Sequence, residues 1–241
     1  MQGPAELLPV SSSGHLALVP NLLGWDYAEL APEVRKTFEV ALHAGSAPAL
    51  CVAVRRFGLR PVSHLGLTLL PPAIFGGAFE GAIERRLGGV SSVCVGQVLG
   101  GAALLLADHI PERRTAANAS DHLAVGFAQA AALAPGVSRF GAALSAARLR
   151  GLSRSASLRL SLRAALPVTL AAGALKGTRL ARGDLAPESR PALAAGACAA
   201  LLSAFASLPL LGTVERSGVL RTLAGYRIVL GVTVLWLERR G

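Results

Sequence analysis

Apolar positions in this chain run on well past the length of an ordinary buried helix. Residues 87–107 form a stretch of 21 without a charged side chain, and residues 191–214 a stretch of 24; about 20 suffice for a helix to cross the hydrocarbon core of a bilayer. Both stretches predict membrane-spanning helices. Five shorter apolar runs, 40–54, 65–79, 123–137, 164–175 and 228–237, carry Gly, Pro or isolated polar residues. That is the pattern of broken, re-entrant or tilted helices.

Composition points the same way. Of 241 residues, 52% are hydrophobic and only 16% charged, with a mean hydropathy of +0.52, more apolar than a soluble domain that must wet its surface. The expected fold is an all-α, polytopic integral membrane protein. The chain nonetheless carries a net charge of +10. Nucleic-acid binding is not the explanation. The arginines stand in short clusters between apolar runs (Arg55, Arg56 and Arg60; Arg85 and Arg86; Arg113 and Arg114; Arg239 and Arg240), as they do in membrane loops, and the aromatics that stack on bases make up only 5% of the chain. The clusters fall on too many loops for the positive-inside rule to select one orientation. A denser run, Arg148, Arg150, Arg154, Arg159 and Arg163, predicts a solvated loop and helix end near lipid headgroups. Cys51, Cys94 and Cys198 are isolated in apolar runs and read as small buried hydrophobes.

The N-terminus lacks the charged, apolar and small-residue regions of a signal peptide, since polar residues begin at Gln2 and Glu6. If residues 2–8 are helical, a turn or two of that helix is expected ahead of Met1.

One local pattern occurs twice. Val10-Ser11-Ser12-Ser13-Gly14 returns as Val137-Ser138-Arg139-Phe140-Gly141, 127 residues later, each time closely preceded by a proline, Pro9 or Pro135. Half-chain spacing of Gly/Pro-interrupted segments is the mark of inverted repeats, which bring corresponding broken helices to one central site. The chain is therefore expected to be a single membrane domain of two approximate repeats, 1–115 and 116–241, with two re-entrant helix pairs. Each proline ends an incoming segment and a new helix starts near Gly14 or Gly141. Irregular backbone at membrane depth needs surrounding protein or a wet cavity, so two such turns predict one polar cavity.

The residues in these turns suit phosphate. Backbone N–H groups at a helix start form an anion site, and Ser11, Ser12 and Ser13 add hydroxyl donors. His15, three residues past Ser12, has the chemistry of a general base, nucleophile or proton donor. Gln2 and Glu6, four apart, share a helix face. A carboxylate within a membrane segment costs about 2.5–3.5 kcal/mol, so Glu6 is expected to bind a divalent cation or to orient His15. In the second turn Arg139 offers a guanidinium fork that matches phosphate and stays charged when desolvated. Taken singly, each has a plainer reading: the serines as helix caps, His15 at the interface, Glu6 in water at the membrane edge, Arg139 snorkelling. Glu39, His43, Asp121 and Gln129 fit cavity lining and loop exposure equally well.

These residues also resemble a known family. Residues 2–15, QGPAELLPVSSSGH, resemble the first signature of the bacterial undecaprenyl-diphosphate phosphatases, also called bacitracin-resistance proteins. Residues 135–141, PGVSRFG, resemble its second. Phe38-Glu39-Val40, the Gly151-Leu152-Ser153-Arg154 segment and Gly225-Tyr226-Arg227-Ile228 are similar to further family elements. The resemblance implies a helical membrane fold with inverted repeats. It also implies hydrolysis of undecaprenyl diphosphate to the monophosphate in the bacterial plasma membrane, which recycles the carrier lipid for cell-wall synthesis.

Carried over, the family's catalytic positions fall on Glu6, Ser12, His15 and Arg139. Phosphate binding is expected of Gln2, Ser11, Ser13, Gly14, Gly136, Ser138 and Gly141, and a Mg²⁺ or Ca²⁺ ion is expected on Glu6 and Gln2. Membrane lipids and a homodimer complete the expected partners. Two residues depart from the family pattern: Gln2 stands where many members have an acid, and Phe140 where a small serine is usual. Transport of a prenyl phosphate by the same inverted repeat is the alternative to hydrolysis. The residues suit attack by a side chain and attack by water equally.

Overall fold

The computed structural model describes residues 1–57, 64–181 and 190–240; Arg60 of the first arginine cluster lies outside them. The described residues are mostly helical, and the only β pairing among them is one bridge, Arg114 with Leu152. Two short helices, α1 (Gln2–Leu7) and α2 (Ser12–Leu23), are joined by a turn through Pro9 and lead into α3 (Pro32–Arg56), α4 (Leu65–Leu87) and α5 (Val90–Asp108). The second half follows the same order. The short pair α6 (Ala119–Ala131) and α7 (Arg139–Leu149) flanks a turn through Pro135, and α8 (Arg154–Ala181), α9 (Arg190–Ser207) and α10 (Val219–Glu238) follow.

Four helices among the described residues are long and apolar enough to cross a membrane: α3, α5, α10, and α9 with its 3-10 extension to Glu215. The two pieces of α4, bent by 60° next to Phe79, make a fifth if they form one span. Most of the shorter apolar runs lie inside longer helices, because polar turns such as Pro32–Glu39 continue the helix beyond the apolar part. The run 123–137 is the exception. It leaves the helix at Ala131, and the chain turns before Pro135. Neither short pair has a member of spanning length.

Helix packing in lipid relies on close approach, since lipid tails are as apolar as leucine. Gly45 on α3 illustrates this: a Cβ there would overlap the backbone of Ala197 on α9. Gly3 on α1 meets α9 in the same way at Ser203, and its N–H donates to Ser203 Oγ at 3.1 Å. Helix α9 thus backs both α1 and α3. Phe140, which stands where the family pattern has a small serine, packs in the core with Leu7, Leu50, Leu144 and Leu162 and also borders the cavity between the two turns.

The arginine run 148–163 is not the solvated loop the sequence suggests. Arg148 is completely buried, and its guanidinium donates to the carbonyls of Leu152 and Ile110. Arg154 pairs with Asp108 at 2.7 Å and Glu112 at 2.9 Å. Arg150 and Arg114 grip Asp121, at 2.9 and 2.8 Å, where that buried carboxylate forms a capping box with Asn118. Although burial alone would raise the carboxyl's pKa, the hydrogen bonds from Arg114, the Asn118 backbone and Arg150 hold it well below the usual carboxylate range. Gln129 is buried too, donating to the Thr68 carbonyl. Asp121 and Gln129 are both fully buried, away from loop solvent, and tie helices together. Cys198 also departs from expectation, being exposed on α9.

Candidate functional site

The two turns share a conformation that non-glycine residues rarely take. Ser11 sits at φ 74° and Ser138 at φ 70°, each the N-cap of the helix that follows. Each serine Oγ accepts the amide N–H three residues on, from Gly14 at 3.2 Å and from Gly141 at 3.0 Å. Those two amides, expected on phosphate, are thus occupied by caps. The cap does not take up the amides of Ser12 and Ser13, or of Arg139 and Phe140, which begin the two helices. Ser12 and Arg139 occupy matching first positions.

Arg227, fully buried on α10, holds the turns together. Its guanidinium donates to Pro9 O at 3.0 Å in the first turn, to Gly136 O and Val137 O at 2.9 and 2.8 Å in the second, and to Gln97 Oε1 at 2.9 Å. Gln97, also buried, donates in turn to Val10 O at 3.1 Å. These contacts satisfy carbonyls that the broken helices leave open. The sequence signal was an arginine at the start of the apolar run 228–237, where a charge rarely stands without a role.

Both helix starts open on one cavity of about 850 Å³, lined by Glu6, Ser11, Ser12, Ser13, Ser138 and Arg139 among others. Arg139 Nη1 donates to Thr169 Oγ1 of α8 at 2.8 Å, its buried Nε has no hydrogen-bond partner, and Glu6 is the carboxylate whose charge it feels. A guanidinium presented in this way is a ready receptor for phosphate oxygens. Thr169 was not anticipated from the sequence.

Glu6 meets a different histidine from the one expected. Its Oε2 accepts from Gln2 Nε2 at 3.2 Å and lies 3.4 Å from His43 Nε2. Ser12 Oγ is 3.3 Å from the same nitrogen. His43 Nδ1 is 2.7 Å from the Glu39 carbonyl oxygen, which only accepts, so that nitrogen carries a proton and, in the neutral ring, Nε2 is the acceptor. The sequence left Glu39 and His43 open between cavity and loop; both line the cavity.

The structure does not bring His15 to this cavity. Its Nδ1 donates to the Ser11 carbonyl at 2.7 Å, and its Nε2 receives the Tyr226 hydroxyl at 2.6 Å, the two rings stacked. Both ring nitrogens are engaged, and the side chain lies between α2 and α10. The residues expected to hold a cation do not amount to a site for one. Among the described residues, no three His, Cys, Asp or Glu side chains come together. Glu6 and the partnerless Gln2 Oε1 offer one carboxylate and one neutral oxygen, too few to hold a hard cation unaided.

Comparison with known proteins completes the description. A family model described as bacitracin resistance protein BacA matches residues 1–233. Similar proteins named undecaprenyl-diphosphatase include one from Chromohalobacter salexigens, 35% identical over 98% of this chain and 94% of its own length. One from Geobacter sulfurreducens is 36% identical, again over 98% and 94%. One from Campylobacter curvus is 32% identical over 98% and 95%.

Proposed function

The chain belongs to the bacitracin resistance protein BacA family and is an undecaprenyl-diphosphatase, and we propose that the cavity shared by its two serine turns is where the diphosphate is cut. Arg139, Ser138 and the amides at the two helix starts bind the phosphates, while the prenyl tail lies between helices in lipid. Ser12, whose hydroxyl opens into the cavity, attacks the terminal phosphorus. Glu6, held by Gln2, supplies the negative charge that faces Arg139 across the cavity and keeps the guanidinium in place when no anion is bound. The plasma membrane is the compartment that this substrate implies. The one observation that carries the assignment is Arg139: a half-buried guanidinium, anchored by Thr169 with its buried Nε unpartnered, at the wall of a cavity whose other turn presents a serine. Such a group is well suited to receive phosphate oxygens.

Nothing in the cavity or among the relatives favours transport over hydrolysis. The test is phosphate release from a prenyl diphosphate by the purified protein in detergent, with Mg²⁺ supplied, for the native chain and for Glu6→Ala, Ser12→Ala and Arg139→Ala. Release by the native chain and its loss in all three variants is the expected result. Undiminished release from Ser12→Ala and Arg139→Ala would remove the cavity from the reaction.

A further inference from the structure

We propose that His43, and not His15, is the histidine of the reaction, its Nε2 taking the proton of Ser12 as Ser12 Oγ attacks. This rests on the reading of the cavity as the hydrolytic site. Three features of His43 suit it to the task. Its Nδ1 is fixed by the Glu39 carbonyl at 2.7 Å, which makes Nε2 the acceptor of the neutral ring. That nitrogen lies 3.3 Å from Ser12 Oγ, within the looser range that nucleophile–base pairs show before substrate binds. The Glu6 carboxylate lies 3.4 Å from the same nitrogen, so a proton arriving there creates a charge pair that the starting state lacks.

The backbone supports this placement. Gly45, two residues on, seats α3 against α9, and α9 also backs α1, which carries Glu6. Base and carboxylate are therefore aligned by one common helix. His15, by contrast, has both nitrogens engaged, by Ser11 O and by Tyr226. It is a positioning residue that holds the Ser11 carbonyl and through it the turn.

The steps balance as follows. The Ser12 hydroxyl proton moves to His43 Nε2, Ser12 Oγ bonds to the terminal phosphorus, and the bridging P–O bond breaks with its electron pair staying on the departing lipid monophosphate. His43 gives its proton to that monophosphate. It then takes a proton from a water whose oxygen attacks the phosphoserine phosphorus, and returns it to Ser12 Oγ as the serine leaves. Inorganic phosphate is the second product.

The experiment measures kcat and KM on a prenyl diphosphate in detergent for the native chain, His43→Gln, His43→Ala and His15→Ala, with and without added imidazole. His43→Gln is expected to lower kcat by roughly 10²–10⁴-fold with KM held within about threefold, because a general base acts in the transition state rather than in binding. Imidazole is expected to raise the activity of His43→Ala by about tenfold or more and to leave His15→Ala unchanged. A rescue of this kind also shows that the variant is folded. A His43→Gln enzyme with native kcat, or rescue of His15→Ala and not of His43→Ala, overturns the proposal. Silence of the native protein would sink both readings, whereas an active His43→Gln sinks this one alone.

Discussion

Ser11 and Ser138 hold nearly the same backbone conformation, φ 74° with ψ 98° and φ 70° with ψ 112°, and each caps the amide three residues further on. The consequence is an equivalence between the residues that follow. Ser12 and Arg139 leave their turns in the same direction relative to the helix each begins, and both reach one cavity. A nucleophile and a cation thus stand on matched mounts.

A left-handed φ costs a non-glycine residue about 1–3 kcal/mol, and this predicts an unusual order of tolerance. Ser138→Gly loses the cap but relieves the backbone, whereas Ser138→Ala loses the cap and keeps the strain, at a cost of roughly 1–2 kcal/mol. Melting temperatures in detergent are expected to fall in the order native, Ser138→Gly, Ser138→Ala. An alanine variant more stable than the glycine variant, the usual order in helices, would contradict the assigned conformation.

Arg139 and Thr169 form a pair of unequal weight. Arg139→Ala removes the phosphate receptor and is expected to lower kcat/KM by roughly 10²–10³-fold, as loss of a transition-state donor does elsewhere. Arg139→Lys keeps the charge but not the fork and should recover little of it. Thr169→Val leaves Arg139 unaligned at Nη1, and a loss of about tenfold, one hydrogen bond's worth, is expected. Steady-state kinetics on a prenyl diphosphate separate the three. A Thr169→Val defect as large as that of Arg139→Ala would mean that the threonine itself meets substrate.

Arg227 is a test of stability more than of chemistry. Arg227→Met strands the buried carbonyls of Pro9, Gly136 and Val137, each at about 1–3 kcal/mol. The variant is expected to yield little monodisperse protein, while Arg227→Lys, with fewer donors in a different geometry, should fall between it and the native chain. Native yield and melting temperature in Arg227→Met would show that the turns stand without this contact.

Asp121 supplies a pH dependence with a definite sign. Its folded carboxyl is held below the ordinary value near 3.9, so the stability it contributes is present above about pH 4 and is lost as pH falls further. At neutral pH, Asp121→Ala is expected to melt lower than the native chain by about 4–8 °C. This corresponds to about 2 kcal/mol for a buried carboxylate whose arginine partners are partly exposed. The gap should narrow on acidification below about pH 4. A gap that widened there would reverse the assignment.

The turns were the most legible part of the site, because proline, glycine and serine act through backbone chemistry that is local to them. The long apolar helices were legible for a similar reason: length and hydropathy are one-dimensional. What escaped depended on helix faces. His15 lies three residues from Ser12 and looked like its partner, yet the rotation of α2 aims it at Tyr226. His43, 31 residues away from Ser12, reaches it because α3 is seated by Gly45 against α9. Arg148 and Arg227 were misjudged or passed over because sequence shows a charge but not the carbonyls that surround it.

The Arg227 contact also has a meaning in time. The carbonyl of Pro9 waits for a guanidinium made 218 residues later, so at typical synthesis rates of about 5–20 residues per second the first turn is complete for roughly 10–40 s before its support exists. During that interval the first turn has its own serine cap and the Gln97 contact to Val10 O, and the Arg227 clamp that ties it to the second turn is still to come.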